Sequence, residues 1–177
     1  LDAILLGYGV CSNGVLGVSS KMYKIVIPRA HDCITLFLGS KERYKELFDK
    51  SPGTYWFTPG WIENTIMPGA DYKERYHAYY TEKYGEENAD YLAEETATWL
   101  KNYNKFAYVD WGFCPECKAF CQNASKAYNF EYECFEGDKS LLKDFLWGNW
   151  DSDKFLVLEP NQTATGTTDE SIMKVEE

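Results

Sequence analysis

The chain has 177 residues, 45% of them hydrophobic and 26% charged, and carries a net charge of −10. That length and apolar content suffice for one globular domain with a real core, so neither a metal nor a disulfide is needed merely to fold it. The negative average field argues against nucleic acid and membrane surfaces as partners, and no apolar run approaches the roughly 20 residues that cross a bilayer.

Aromatic residues make up 17%, including 14 Tyr and 6 Trp. Usage this heavy suits an aromatic core, an aromatic-walled cavity or a partner surface. Six cysteines are too sparse for a disulfide-built scaffold, and their clustering near expected strand ends favours metal or redox chemistry in a reducing cytoplasm. The sequence opens at Leu1-Asp2-Ala3-Ile4 without a Met, at the doorstep of a strand, so a preceding segment carrying a further strand or a signal is expected.

Residues 3–6 and 24–27 are short apolar runs, partly β-branched and bounded by glycine or proline, as in strands buried on both faces of a parallel sheet. If the two are parallel, their C-terminal ends share one sheet edge. Cys11 then follows the first strand, and His31 and Cys33 follow the second, where open α/β sheets place their ligands. Between them residues 9–17 are glycine-rich. Gly7, Gly9 and Gly14 miss the G-x-G-x-x-G spacing because Ser12 takes the third glycine position, so a dinucleotide reading is weak. The backbone N–H groups of such a turn suit a small anion, which makes Tyr8, Ser12 and Asn13 the candidate cofactor-binding residues.

Residues 34–50 read as one helix, with Ile34, Phe37, Leu38, Tyr44, Leu47 and Phe48 at roughly helical spacing. Asp32 or Cys33 begins it, where a helix dipole lowers a thiol pKa. Residues 54–58 form a third strand, stopped by Pro59-Gly60. Residues 61–104 read as a helical insertion, with helices over 72–83 and 87–103; Leu92, Thr96, Trp99 and Tyr103 share one face of the second. A strand over 106–110 leads into Cys114-Pro115-Glu116-Cys117 and a helix over 119–128. A strand over 130–135, a helix marked by Leu141, Leu142, Phe145 and Leu146, and a strand over 154–158 follow. The stretch 161–177 reads as a polar C-terminal tail, frayed or ordered on a partner. The alternation predicts an α/β fold of three layers with a mostly parallel sheet, one domain over 1–160 with the helical segment between its halves.

Two chemistries compete at Cys114 and Cys117. A dithiol after a strand and at the start of a helix resembles that of thioredoxin-like proteins, although the isoleucine-proline-threonine type of turn expected some forty residues on is missing. In the metal reading, Cys11, His31, Cys33, Cys114 and Cys117 meet at one sheet edge, and thiolate with imidazole suits zinc, while thiolates in that number also suit an iron–sulfur cluster. His31-Asp32-Cys33 with a distant Cys resembles the zinc set of thiol-alkylating methyltransferases. Asp32 is a candidate proton acceptor or partner of His31. Arg29 is a candidate for holding a substrate carboxylate or phosphate, with an ion pair to Asp32 or Asp110 as the alternative. Tyr8, Tyr55, Trp56 and Trp61 either wall a pocket or belong to the core. Cys121 is a spare ligand or core, and Cys134 reads as an inert strand residue.

Three blocks carry a family resemblance: Leu6-Gly7-Tyr8-Gly9-Val10-Cys11-Ser12-Asn13-Gly14, the run from Ile27-Pro28-Arg29-Ala30-His31-Asp32-Cys33 to Lys41-Glu42, and the run from Pro52-Gly53-Thr54-Tyr55-Trp56 to Trp61-Ile62-Glu63. In these blocks, and more loosely after Tyr72, the chain resembles the domain of unknown function 1638 family. That resemblance implies an anaerobic cytoplasm, since the family belongs to anaerobic bacteria and methanogenic archaea. It also implies a role in one-carbon or corrinoid metabolism with a corrinoid protein or methyltransferase as partner, because the genes often lie near corrinoid-dependent methyltransferases. It supplies no activity, and Cys114-Pro115-Glu116-Cys117 lies outside the blocks that carry it. The leading expectation is a cytoplasmic zinc protein, possible as a homo-oligomer, that activates a thiol or assists methyl transfer. The alternatives are a non-enzymatic iron–sulfur or docking component of a methyltransferase system and a dithiol oxidoreductase.

Overall fold

A computed structural model describes residues 1–176. In chain order its elements are β1 (Ala3–Leu5), β2 (Lys24–Pro28), α1 (Cys33–Leu38), α2 (Lys41–Lys50), β3 (Thr54–Phe57), α3 (Pro59–Asn64), α4 (Tyr72–Tyr84), α5 (Glu86–Ala97), β4 (Lys105–Asp110), α6 (Pro115–Tyr128), β5 (Glu131–Glu136), α7 (Ser140–Trp147), β6 (Phe155–Leu158), β7 (Thr163–Gly166) and β8 (Met173–Glu176). A 3-10 turn, Thr98–Asn102, follows α5. The mixed α/β class and the expected strands hold, but the strands divide into three sheets rather than one. The chain forms two compact units, Leu1–Lys50 with Gly137–Glu177 and Ser51–Glu136. Among the described residues no helix is long and apolar enough to cross a membrane.

In the first unit β1 and β2 are parallel, with Ile4 opposite Ile25, as their apolar runs suggested. The third strand, β6, is antiparallel to β2, with Val26 opposite Val157. Ile25 and Ile27 point into one cluster with Val15, Leu156 and Leu158. Val26, one residue out of phase, packs on the other face with Leu36, Leu141, Phe145 and Phe155, as period-2 alternation requires. The expected single helix over 34–50 is two. Gly39 sits at φ 85° and closes α1 by donating its N–H to the Thr35 carbonyl, a left-handed cap that glycine adopts at least cost.

The C-terminal stretch read as a polar tail is a hairpin, β7 paired antiparallel with β8. Its composition is polar, yet Ala164, Ile172 and Met173 are buried and join the cluster around Ile27 and Leu158. Three well-placed apolar side chains in a two-stranded ribbon are enough to dock it, and a window average over Thr and Glu hides them.

In the second unit β3, β4 and β5 form an all-parallel sheet with β4 central. Thr54 lies opposite Lys105, and Lys105 opposite Glu131. Phe106, Ala107, Tyr108 and Val109 of β4 are fully or almost fully buried, the continuous apolar run of a strand covered on both faces. One cluster gathers Phe57, Phe106, Tyr108, Leu100, Cys121 and Ala124. The expected helical segment is α4 and α5, a hairpin joined at Gly85.

Candidate functional site

Because β1 and β2 are parallel neighbours, the loops that leave their C-terminal ends lie side by side. The Val10 N–H donates to the Ala30 carbonyl at 2.8 Å and the Cys11 N–H to the His31 carbonyl at 3.1 Å. Gly9 makes the approach possible. A Cβ there would stand 2.7 Å from the Cα and carbonyl carbon of Asp32, closer than any side chain tolerates. Beyond it Cys11, Ser12 and Asn13 all have positive φ, at 25°, 57° and 65°. Three consecutive non-glycine residues in this region mark backbone strain of the kind that clusters at functional sites.

This loop pair brings Cys11 to Cys33. Cys11 and Asp32 are both near enough to act on the Cys33 thiol. Asp32 itself caps α1, its Oδ1 accepting from the Ile34 N–H at 2.9 Å, and its carboxylate is also hydrogen-bonded to the Tyr44 hydroxyl. Burial, then the neighbouring Cys11 and Asp32, push the Cys33 thiol from 9.0 up to about 12. The expected lowering by a helix dipole therefore fails. A six-residue helix contributes less than desolvation and two nearby acidic groups.

The folded Cys33 thiol keeps its proton to higher pH than the unfolded one. Its contribution to stability is complete below pH 9 and is lost as the pH rises towards 12, so the metal-free protein weakens to urea across that window. At pH 8, iodoacetamide should label native Cys33 at least about tenfold more slowly than the same residue in urea, since thiolate is the reacting form. Equal rates, read by mass spectrometry of the Cys33 peptide, would refute the protected thiol.

The other residues singled out in this unit are placed differently. His31 is exposed and lines a cleft of about 520 Å³ with Lys41, Lys45, Glu46, Thr167 and Asp169. Among the described residues Cys11, His31 and Cys33 do not form a group whose ligand atoms all lie within 4.8 Å of one another. Tyr8, Ser12 and Asn13 are exposed on the strained loop. Arg29 is not a substrate clamp. Its guanidinium donates to the carbonyls of Ser152 and Ser171, each at 2.7 Å, and of Met173. It fastens the C-terminal hairpin, which the reading of that stretch as a tail could not anticipate.

Cys114 and Cys117 belong to the second unit, where they are joined to each other in a disulfide. Cys114 caps α6, its sulfur accepting from the Cys117 N–H at 3.3 Å. The Tyr108 hydroxyl donates to the Cys114 carbonyl at 3.2 Å. A carboxylate that the sequence did not suggest stands beside the pair. Ligand atoms of Glu63, Cys114 and Cys117 lie within 4.8 Å of one another, the only such group of three His, Cys, Asp or Glu residues among the described residues. The topology explains it. Since β3 and β4 are parallel and adjacent, α3, which carries Glu63 just after β3, and the Cys114 turn just after β4 leave the same sheet edge.

Cys121 is fully buried core, its thiol pushed up by burial. Cys134, on β5, has its sulfur 3.9 Å from Asp110 Oδ2, and the same carboxylate oxygen accepts from Lys118 Nζ at 3.0 Å. The Gly112 N–H and Lys118 hold the Asp110 carboxyl below the usual carboxylate range. Tyr55, Trp56 and Trp61 are not pocket walls but packing: Tyr55 and Trp61 lie against the Phe57 cluster, and Trp56 meets Phe135 at 5.4 Å.

A family model described as a protein of unknown function (DUF1638) matches residues 1–146. The chain belongs to the DUF1638 family. No curated protein and no solved structure matches it. The matched residues include both thiol pairs and Glu63, so nothing in the extent of the DUF1638 match separates the two candidate sites.

Proposed function

We propose that this DUF1638 protein binds zinc at Cys11 and Cys33, with His31 as third ligand, and uses it to activate a thiol. The observation that carries the reading is the pairing of the loop bearing Cys11 with the loop bearing His31 and Cys33, through the bonds from Val10 to Ala30 and from Cys11 to His31. The two loops pack together only because residue 9 is glycine. Cys11 and Asp32 both act on the Cys33 thiol, and a thiophilic divalent cation bound there would draw the thiols together as thiolates. The donor set fits zinc in part. Cys11 and Cys33 are free thiols on adjoining loops, and the exposed His31 would complete the set by turning inward on the loop it shares with Cys33.

Three protein ligands leave a fourth position open, as catalytic rather than closed structural zinc sites do. Cys11, His31 and Cys33 would hold the ion, and zinc bound there would lower the pKa of a coordinated thiol so that it is presented as thiolate. Asp32 and Tyr44 then act as the surrounding hydrogen-bonded shell that holds Cys33 in place. Cys114 and Cys117 are bonded to each other and stand outside this ligand set. Methyl transfer to the held thiol, with a corrinoid protein or methyltransferase as partner in an anaerobic cytoplasm, is the use we propose for it.

Metal analysis of the full chain purified without oxygen tests the reading. About one zinc per chain, with no acid-labile sulfide, is expected. Cys11→Ser and Cys33→Ser should each lose nearly all of it while keeping the wild-type circular dichroism spectrum. Iron with matching sulfide would replace zinc by a cluster, and absence of any metal would leave the pair as plain thiols.

A further inference from the structure

The second unit carries a site the zinc reading does not use. We propose that Cys114 and Cys117 form a redox-active pair that exchanges with small disulfides, with Glu63 as the proton acceptor of the resolving thiol. The disulfide spans only three residues of sequence separation. So short a loop restricts the unfolded chain very little, and the unit already has a large aromatic core, so a purely structural staple gains little here.

The assignment of roles follows from the contacts. The Cys114 sulfur caps α6 and accepts the Cys117 N–H, and α6 is a 14-residue helix whose N-terminal field favours a thiolate at that point. Cys114 is therefore the nucleophile. Cys117 sits one turn inside, and the Glu63 carboxylate stands within 4.8 Å of both sulfurs. Glu63 is exposed, so its carboxylate exchanges protons with solvent, whereas both cysteines are buried.

The reaction balances with a disulfide RSSR as oxidant. The Cys114 thiolate attacks one sulfur of RSSR, breaking its S–S bond and releasing RS⁻. Glu63 then takes the Cys117 proton, and the Cys117 thiolate attacks the Cys114 sulfur of the mixed disulfide, releasing the second RS⁻. The proton on Glu63 passes to a released thiolate. Two electrons have moved from the protein dithiol to RSSR, leaving the protein disulfide, one RSH and one RS⁻. The reverse sequence, with two thiols as reductant, returns the dithiol.

The test uses the full chain, reduced and freed of reductant and of metal, mixed with oxidised glutathione under argon and quenched by alkylation for mass spectrometry. Reversible conversion of the 114–117 peptide between dithiol and disulfide across a series of glutathione ratios is expected. Glu63→Gln should slow oxidation by on the order of 100-fold or more, and Glu63→Asp should recover part of the rate. Cys114→Ser should form no mixed disulfide with glutathione, while Cys117→Ser should trap one. Three results overturn the proposal: a pair that stays bonded even in excess dithiothreitol, Glu63→Gln reacting at the wild-type rate, or a reduced protein in which Cys114, Cys117 and Glu63 together retain a tightly bound zinc. The Cys11→Ser, Cys33→Ser double variant should behave as wild type throughout, so failure of the zinc site and failure of this one are read separately.

Discussion

Gly9→Ala should cost the first unit about 1–3 kcal/mol, the usual price of forcing atoms into a packed site. The added Cβ meets the backbone of Asp32 at 2.7 Å, not the tip of a movable side chain. Relief requires the loop at residues 7–13 to move away from the loop at residues 29–32. That movement breaks the bonds from Val10 to Ala30 and from Cys11 to His31 and pulls the Cys11 thiol off Cys33. Stability and metal should therefore fall together. The urea midpoint and the zinc content of Gly9→Ala, measured on one preparation, decide it, and wild-type values for both would show that the two loops are not locked to one another as described.

Phe57→Ala should cost about 3–5 kcal/mol, among the largest effects a single truncation produces. Phe57 has no exposed surface and lies among Tyr55, Phe106 and Phe120, with ring centroids 5.4, 4.9 and 6.3 Å away. Its neighbours sit on β3, β4 and α6, three elements fixed by the parallel sheet, so the void cannot close by a small adjustment. Hydrogen exchange resolves the consequence by unit. Amides of β3 and β4 should lose protection, and a loss of less than about 1 kcal/mol, the range of a repacked surface position, would contradict the assigned core.

Much of this was legible in the residues, because short apolar runs bounded by glycine and proline constrain strands strongly. Residues 3–6, 24–27 and 106–110 became strands within a residue or two, and the parallel pairing of the first two is what brings Cys11 to Cys33. The same logic, applied to residues 54–57 and 106–110, contained the placement of Glu63. It went unseen because an exposed glutamate in a six-residue helix carries no periodicity or spacing signal of its own. The role of Arg29 is opaque in the sequence for a related reason. Its partners are main-chain carbonyls, of Ser152 ahead of β6 and of Ser171 and Met173 in the hairpin, and carbonyls are present at every residue, so no sequence pattern reports them. The division of strands among three sheets was likewise hidden, since local patterning says which segments are strands but leaves their pairing partners to tertiary contacts.

Cobalt substitution of the full chain, followed by its absorption spectrum under argon, tests the zinc proposal most directly, because thiolate-to-cobalt charge transfer counts the sulfur ligands. A near-ultraviolet band of two-thiolate intensity with the visible pattern of a four-coordinate ion is expected. Cys11→Ser and Cys33→Ser should each abolish or halve it, and the Cys114→Ser, Cys117→Ser pair should leave it unchanged. A spectrum without charge transfer, or one that depends on Cys114 and Cys117 instead, would refute zinc at Cys11 and Cys33 and move any metal away from the strained loop.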